Sequence, residues 1–180
     1  SFFFEVWEPT IYNSGELDME VAYEDGEWEL VLLDEANEME VEPSDSLLQG
    51  VSATRQIVPD DAAFGFLGNP GDAVWVLPQD EQEGVLFLGI AGDEIPAGLF
   101  VDDVVGLHLD SVWGPGDVTL YSTDEFGVPN VFFNSADGIG EDDVYPVNVG
   151  GHAHQNWGFT APGVYKVALQ ARGTLAEGAM

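Results

Sequence analysis

His152 and His154 are two residues apart. In an extended strand, side chains at i and i+2 leave from the same face, so the two imidazoles can address one point. That geometry suits zinc or copper, and His108, in Gly106-Leu107-His108-Leu109, is the candidate third ligand. The competing reading is that the pair hydrogen-bonds to nearby loops and supports Trp157. A second group offers only oxygen. Asp137-Gly138-Ile139-Gly140-Glu141-Asp142-Asp143 packs the carboxylates of Asp137, Glu141, Asp142 and Asp143 between turn glycines. Calcium takes about six to eight oxygen ligands from flexible loops, which makes this segment the candidate calcium site. Asp102-Asp103 or Asp124-Glu125 could add oxygens. The ligand spacing is not that of an EF-hand, and a solvated acidic loop is the alternative.

Other chemistries find little here. There is no Gly-x-Ser-x-Gly elbow and no phosphate loop, and nothing indicates an organic cofactor. Glycoside hydrolysis needs two carboxyl groups set across a cleft, and no such pair stands out among the 34 acidic residues. The expectation is a protein that is not an enzyme. Glycan binding is a more serious rival, through Trp7, Trp28, Trp75, Trp113 or Trp157, although most of these lie in apolar runs that read as core.

Charge narrows the partners. The 180 residues carry three basic side chains (Arg55, Lys166, Arg172) against those 34 acids, a formal net charge of −31. Nucleic-acid binding needs a basic surface to displace counterions, so that class is excluded, and anionic membrane surfaces fall by the same sign. No apolar run approaches the roughly 18 residues of a membrane span, so no insertion by this segment is expected. With 45% hydrophobic residues and 11 Phe, the chain is no disordered acidic tail. Self-repulsion at −31 is relieved by high ionic strength or by bound divalent cations, which points to an extracellular or cell-surface setting, with a salt-adapted cytoplasm as the alternative. Cysteine is absent, so thiolate metal sites and disulfides are excluded.

The elements that must carry these groups read as strands. Leu17, Met19, Val21 and Tyr23 alternate with Asp18, Glu20, Ala22 and Glu24, and Asp25-Gly26 supplies a two-residue hairpin turn. That turn sets Tyr23 against Trp28, Val21 against Leu30 and Met19 against Leu32, and it opposes Glu24 to Glu27. Asp34 to Asp45 reads as an acidic connection broken by Pro43. Pro59 to Phe64 is the only plausible helical turn. Ala73 to Leu77 and Gly84 to Ile90 are continuous apolar runs, as in strands buried on both faces. The whole predicts an all-β fold: an antiparallel β-sandwich, Ig-like or jelly-roll-like, of about ten to twelve short strands with at most one short helical turn.

Several pieces stand in a familiar order: Ala63-Phe64-Gly65-Phe66-Leu67-Gly68, Ala73-Val74-Trp75-Val76-Leu77-Pro78-Gln79, Asp93-Glu94-Ile95-Pro96-Ala97-Gly98 and Gly114-Pro115-Gly116. Phe132-Phe133-Asn134-Ser135-Ala136-Asp137-Gly138-Ile139 follows, and His152-Ala153-His154-Gln155-Asn156-Trp157-Gly158-Phe159-Thr160-Ala161-Pro162-Gly163-Val164-Tyr165 closes the series. From about Leu17 to Leu175 the chain resembles the choice-of-anchor M family, bacterial surface domains related to actinobacterial surface-anchored repeats. The resemblance implies an exported or surface-attached protein without known enzymatic activity. It also implies one more strand, of the pattern Phe-x-Phe-x-Val, after the strand at Val164.

That pattern stands instead in Ser1-Phe2-Phe3-Phe4-Glu5-Val6. Residues 1–9 are therefore expected to be a joining strand and 10–180 a single sandwich domain. Phe2, Phe4 and Val6 lie on one face of such a strand, Phe3 and Trp7 on the other. Folding back into its own sheet is one solution. The other is to complete a neighbouring copy by donor-strand exchange, a head-to-tail contact that yields a homopolymer or filament, or tandem repeats. The resulting expectation is a structural surface protein assembled through this strand and stabilised by salt or calcium, with a glycan- or transition-metal-binding domain as the alternative.

Overall fold

Leu17, Met19 and Val21 are buried on one side of a strand, while Glu16, Asp18 and Glu20 leave from the other. A computed structural model describes residues 8–178 of the chain. The expected joining strand, with Phe2, Phe3, Phe4, Val6 and Trp7, lies outside the described residues. Within them the strands are β1 Thr10–Tyr12, β2 Gly15–Glu24, β3 Glu27–Asp34, β4 Met39–Val41, β5 Ser46–Leu48, β6 Arg55–Ile57, β7 Ala73–Leu77 and β8 Leu86–Ala91. They continue with β9 Val104–Trp113, β10 Val118–Thr123, β11 Pro129–Asn134, β12 Val144–Asn148, β13 His152–His154, β14 Asn156–Phe159 and β15 Lys166–Arg172.

The β2–β3 hairpin has the register its Asp25-Gly26 turn dictates, with Tyr23 opposite Trp28, Val21 opposite Leu30, Met19 opposite Leu32 and Glu24 opposite Glu27. It joins a five-stranded sheet in the order β13-β8-β2-β3-β4. A second five-stranded sheet runs β11-β10-β14-β7-β6, a third β12-β9-β15, and β1 pairs with β5. Leu17, Leu32 and Leu88 of the first sheet share one buried cluster with Leu120, Phe133 and Trp157 of the second and Val105, Leu107 and Leu109 of the third. The protein is an all-β sandwich. The second sheet is also covered on its outer face, where Val74, Val76 and Tyr121 meet Leu67 of a 3-10 turn, Ala62–Leu67. Gly158 makes room for that turn, since a Cβ there would lie 2.9 Å from Leu67 Cδ2.

The detail departs from the expectation in three ways. Among the described residues there are fifteen strands and five short 3-10 turns, where ten to twelve strands and one helical turn were expected. The surplus consists largely of three-residue pieces, such as β4 and the turn Pro43–Asp45 inside the supposed acidic connection, too short to show a period. The pairing is not purely antiparallel either, because β2–β8 and β1–β5 run parallel. Parallel neighbours are joined by long crossovers and leave no local turn signal.

Leu17 is fully buried on the strand that carries Glu16 and Asp18. Leu17→Ala should destabilise the fold by roughly 2–5 kcal/mol. Denaturant unfolding followed by tryptophan fluorescence measures this, and a loss below the cost of an ordinary surface change would contradict the placement of this core.

Candidate metal centre

Three adjacent strands build the site. On β2, the alternation that buries Leu17 and Met19 turns Glu16 and Asp18 to the opposite face. The parallel register sets Glu16 beside Phe87 and Asp18 beside Gly89 of β8, and β13 then sets His154 beside Gly89 and His152 beside Ala91. One ligand atom each from Glu16, Asp18, His152 and His154 falls within 4.8 Å of the other three. His152 Nε2 is 2.9 Å from Asp18 Oδ1, His154 Nε2 is 3.3 Å from Glu16 Oε1, and His154 Nε2 is 4.0 Å from Asp18 Oδ1.

Gly89 lies beneath this convergence. A Cβ there would run into Asp18 Oδ1 and approach His152 Nε2 to 2.6 Å, so only glycine leaves the space the four groups occupy. Phe87 stacks face to face on the His154 ring with centroids 3.4 Å apart, which fixes that ring against the sheet. Asp18 is 3% exposed, an acidic group taken out of water with two imidazoles as its partners. The side chains of Glu16 and His152 remain 43% and 37% exposed, so the site opens to solvent on one side.

The electrostatics follow from this crowding. Burial lowers the pKa of His154, and His152 lowers it further, against the pull of Asp18 and Glu16. Nδ1 of His154 is buried with no hydrogen-bond partner among the described residues, so the ring proton with acceptors available is the one on Nε2. Desolvation, then the proximity of Asp18 and the charge of Glu16, raises the pKa of Glu35, just beyond β3.

The donor set is two imidazole nitrogens and two carboxylate oxygens. Zinc binds such ligands at about 2.0–2.2 Å in a tetrahedron, which places neighbouring donor atoms roughly 3.3 Å apart. The observed spacings bracket that value, and closure needs shifts only of side-chain tips. A tetrahedral ion bound by all four would have no open coordination position.

Of the residues expected from sequence, His152 and His154 are brought together. His108 is not: it lies on β9 in a different sheet, beside Arg172 and Glu141. The acidic loop does not converge on a point. Asp143 is buried and spends its two oxygens on the backbone N–H groups of Asn134, at 2.9 Å, and Gly140, at 2.7 Å. Glu141 accepts from Arg172 Nη1 at 3.1 Å, and Asp137 and Asp142 are exposed. Among the described residues, the β2–β13 set is the one group of three or more ligating side chains that comes together. Of the tryptophans, Trp157 is core and Trp28 stacks on Phe100, whereas Trp113 is 56% exposed beneath Lys166. No family model, curated protein or solved structure matches the chain.

His108 has a measurable signature of its own. Burial, then Arg172, lowers its pKa below the ordinary 6.5, and its Nδ1 is buried without a partner. The unfolded chain therefore binds this proton more readily than the native one. The stability that depends on neutral His108 is fully present above pH 6.5 and is lost as the pH falls through the lowered pKa. Denaturant melts across that window should show the wild type losing more stability than His108→Gln. Parallel losses in the two proteins would mean that burial does not hold this imidazole neutral.

Proposed function

We propose that this chain is a non-enzymatic, extracellular β-sandwich domain that binds a transition metal ion of the zinc or copper class through Glu16, Asp18, His152 and His154. The observation that carries the reading is the buried Asp18 carboxylate, held between two imidazole Nε2 atoms above a position that must be glycine. Imidazole with carboxylate, and no thiolate, favours zinc and copper over the hard cations that take oxygen alone. The half-open rim formed by Glu16 and His152 lets an ion enter and leave. The net charge of −31 raises the local concentration of any cation and fits a saline or cation-rich exterior. The resemblance to bacterial surface domains agrees with that location.

Calorimetric titration of the full chain with zinc and with copper tests this. One-to-one binding is expected, with proton release as the ring nitrogens are metallated. Asp18→Asn and Gly89→Ala should each weaken it by about tenfold or more while circular dichroism stays that of the wild type. Stoichiometric binding that is unchanged in both variants would place the metal elsewhere, and no binding by the wild type would end the proposal.

A second reading, head-to-tail assembly through residues 1–7, is favoured by one feature of the third sheet. β15 is an edge strand with no partner on its outer side among the described residues, and Val167, Leu169 and Ala171 lie half-buried against the core there. Such an edge accepts an added strand through backbone hydrogen bonds. Removal of residues 1–7 should leave a species that sediments as a monomer at concentrations where the full chain forms larger assemblies. Identical sedimentation of the two would exclude this joint.

A further inference from the structure

The third sheet has one face in the core and one turned outward. On β9, Val105, Leu107 and Leu109 are buried, so Val104, Gly106 and His108 leave from the outer side. The ladder sets Pro146 of β12 and Arg172 of β15 on either side of Gly106, with Val144 beside His108 in the next outward row. A groove of about 630 Å³ crosses these residues. Val101 and Thr174 complete its lining, and the Val101 N–H donates to the Thr174 carbonyl at 2.8 Å. Gly106 keeps the floor open. A Cβ there would come within 2.8 Å of His108 Nε2 and 2.9 Å of Val144 Cγ2, so imidazole and valine both reach over the space left by the missing side chain.

Two features set this groove apart from the surface around it. The outward positions of a sheet with one solvated face are ordinarily polar, yet Val101, Val104, Val144 and Pro146 make this one apolar, and Val101 is 44% exposed. The second feature is charge. The chain has 34 acidic residues among 180, but none of the ten that line the groove is acidic, and one of its three basic side chains, Arg172, is there. Arg172 Nε donates to Gln170 at 3.0 Å and Nη1 to Glu141 at 3.1 Å, which leaves Nη2 without an acceptor among the described residues. The Glu141 side chain is 89% exposed, and so wet an ion pair contributes little and yields to an anion set in an apolar groove. His108 offers the second polar group. Its Nδ1 is buried without a partner, so Nε2, over the floor, is the ring nitrogen that can meet a ligand.

We propose that this groove binds a small amphipathic carboxylate, its apolar body over Gly106 against Val104, Val144 and Pro146 and its carboxylate received by Arg172 and His108 Nε2. Small-molecule sites combine an apolar lining of this size with a few polar groups that fix orientation. The rest of the chain repels anions, so a groove with a guanidinium and no carboxylate is the place where one can be held. The site shares no residue with the imidazole–carboxylate centre, and neither reading depends on the other.

The test is titration of the full chain with octanoate, with octanol and octylammonium as its neutral and cationic counterparts. The backbone amide signals of Gly106 and Val144 in proton–nitrogen correlation NMR spectra report on the groove. Octanoate should shift both signals saturably, and octanol should bind about tenfold more weakly. Octylammonium is drawn to the whole acidic surface and should not saturate these two signals, which separates a built site from general attraction. Arg172→Gln should weaken octanoate by about tenfold, and Glu141→Gln, which removes the competing carboxylate, should strengthen it. Gly106→Ala should block the floor; because that change touches the sheet, the two exposed variants keep the result readable if it unfolds. Equal affinity for octanoate and octanol, or an octanoate affinity unchanged in Arg172→Gln, would overturn the proposal. So would signals that respond to octanoate only after residues 1–7 are removed, which would make that segment the occupant. Signals that shift with protein concentration and not with octanoate would overturn it as well, by assigning the groove to a second copy.

Discussion

A strand has two faces, and in β2 the core claims one of them outright. Leu17, Met19 and Val21 are buried together, so Glu16, Asp18 and Glu20 share the other face with no freedom to disperse. A one-residue slip would exchange the two sets and drive three carboxylates into the hydrophobic cluster. The hydrophobic effect thereby fixes a column of negative charge on the sheet, at the spacing the pleat allows. What the neighbouring strands place beside that column decides whether it is a liability or a site.

At Asp18 the neighbours are a glycine and two imidazoles. At Glu20 the neighbour on β8 is an alanine. The difference comes from β8, which gives Gly89 to one row and Ala91 to the next, and from β13, whose histidines lean toward Asp18. Adding a side chain at Gly89 would fill the space where the four ligand atoms approach one another. In a chain with three basic residues, most of its carboxylates have no protein counter-ion to draw on, and solvent ions must do that work. The −31 charge is tolerable on the exposed side chains, where salt screens it, and far less so at positions removed from water.

How much of this was legible depended on whether the signal was local. The Asp25-Gly26 turn and the alternation on either side of it specified a hairpin register that the structure reproduces pair for pair. The spacing of His152 and His154 placed both imidazoles on one face, as β13 confirms. Asp18 was already on the non-core face of the hairpin and Glu16 lay just before it, but nothing nearby in sequence said what they would meet. Their partners are more than a hundred residues away and arrive through β8, which lies between and runs parallel to β2. His108 shared the chemistry of the other histidines but lay in another sheet, a distinction that residue type does not encode. The loop at Asp137–Asp143 had the composition of a cation site. Composition does not show that Asp143 turns inward to hold its own backbone.

The mixed donor set on β2 and β13 bears on which ion the proposed centre would prefer. Where imidazole nitrogens join carboxylates, borderline metals gain over hard ones. Glu16 and Asp18 supply two negative charges there, and His152 and His154 supply neutral nitrogens. A divalent ion bound by all four would leave the group near neutral, so its binding would remove a local cost that the acidic composition otherwise imposes on a carboxylate taken out of water. The exposed carboxylates elsewhere need no such partner, because salt screens them.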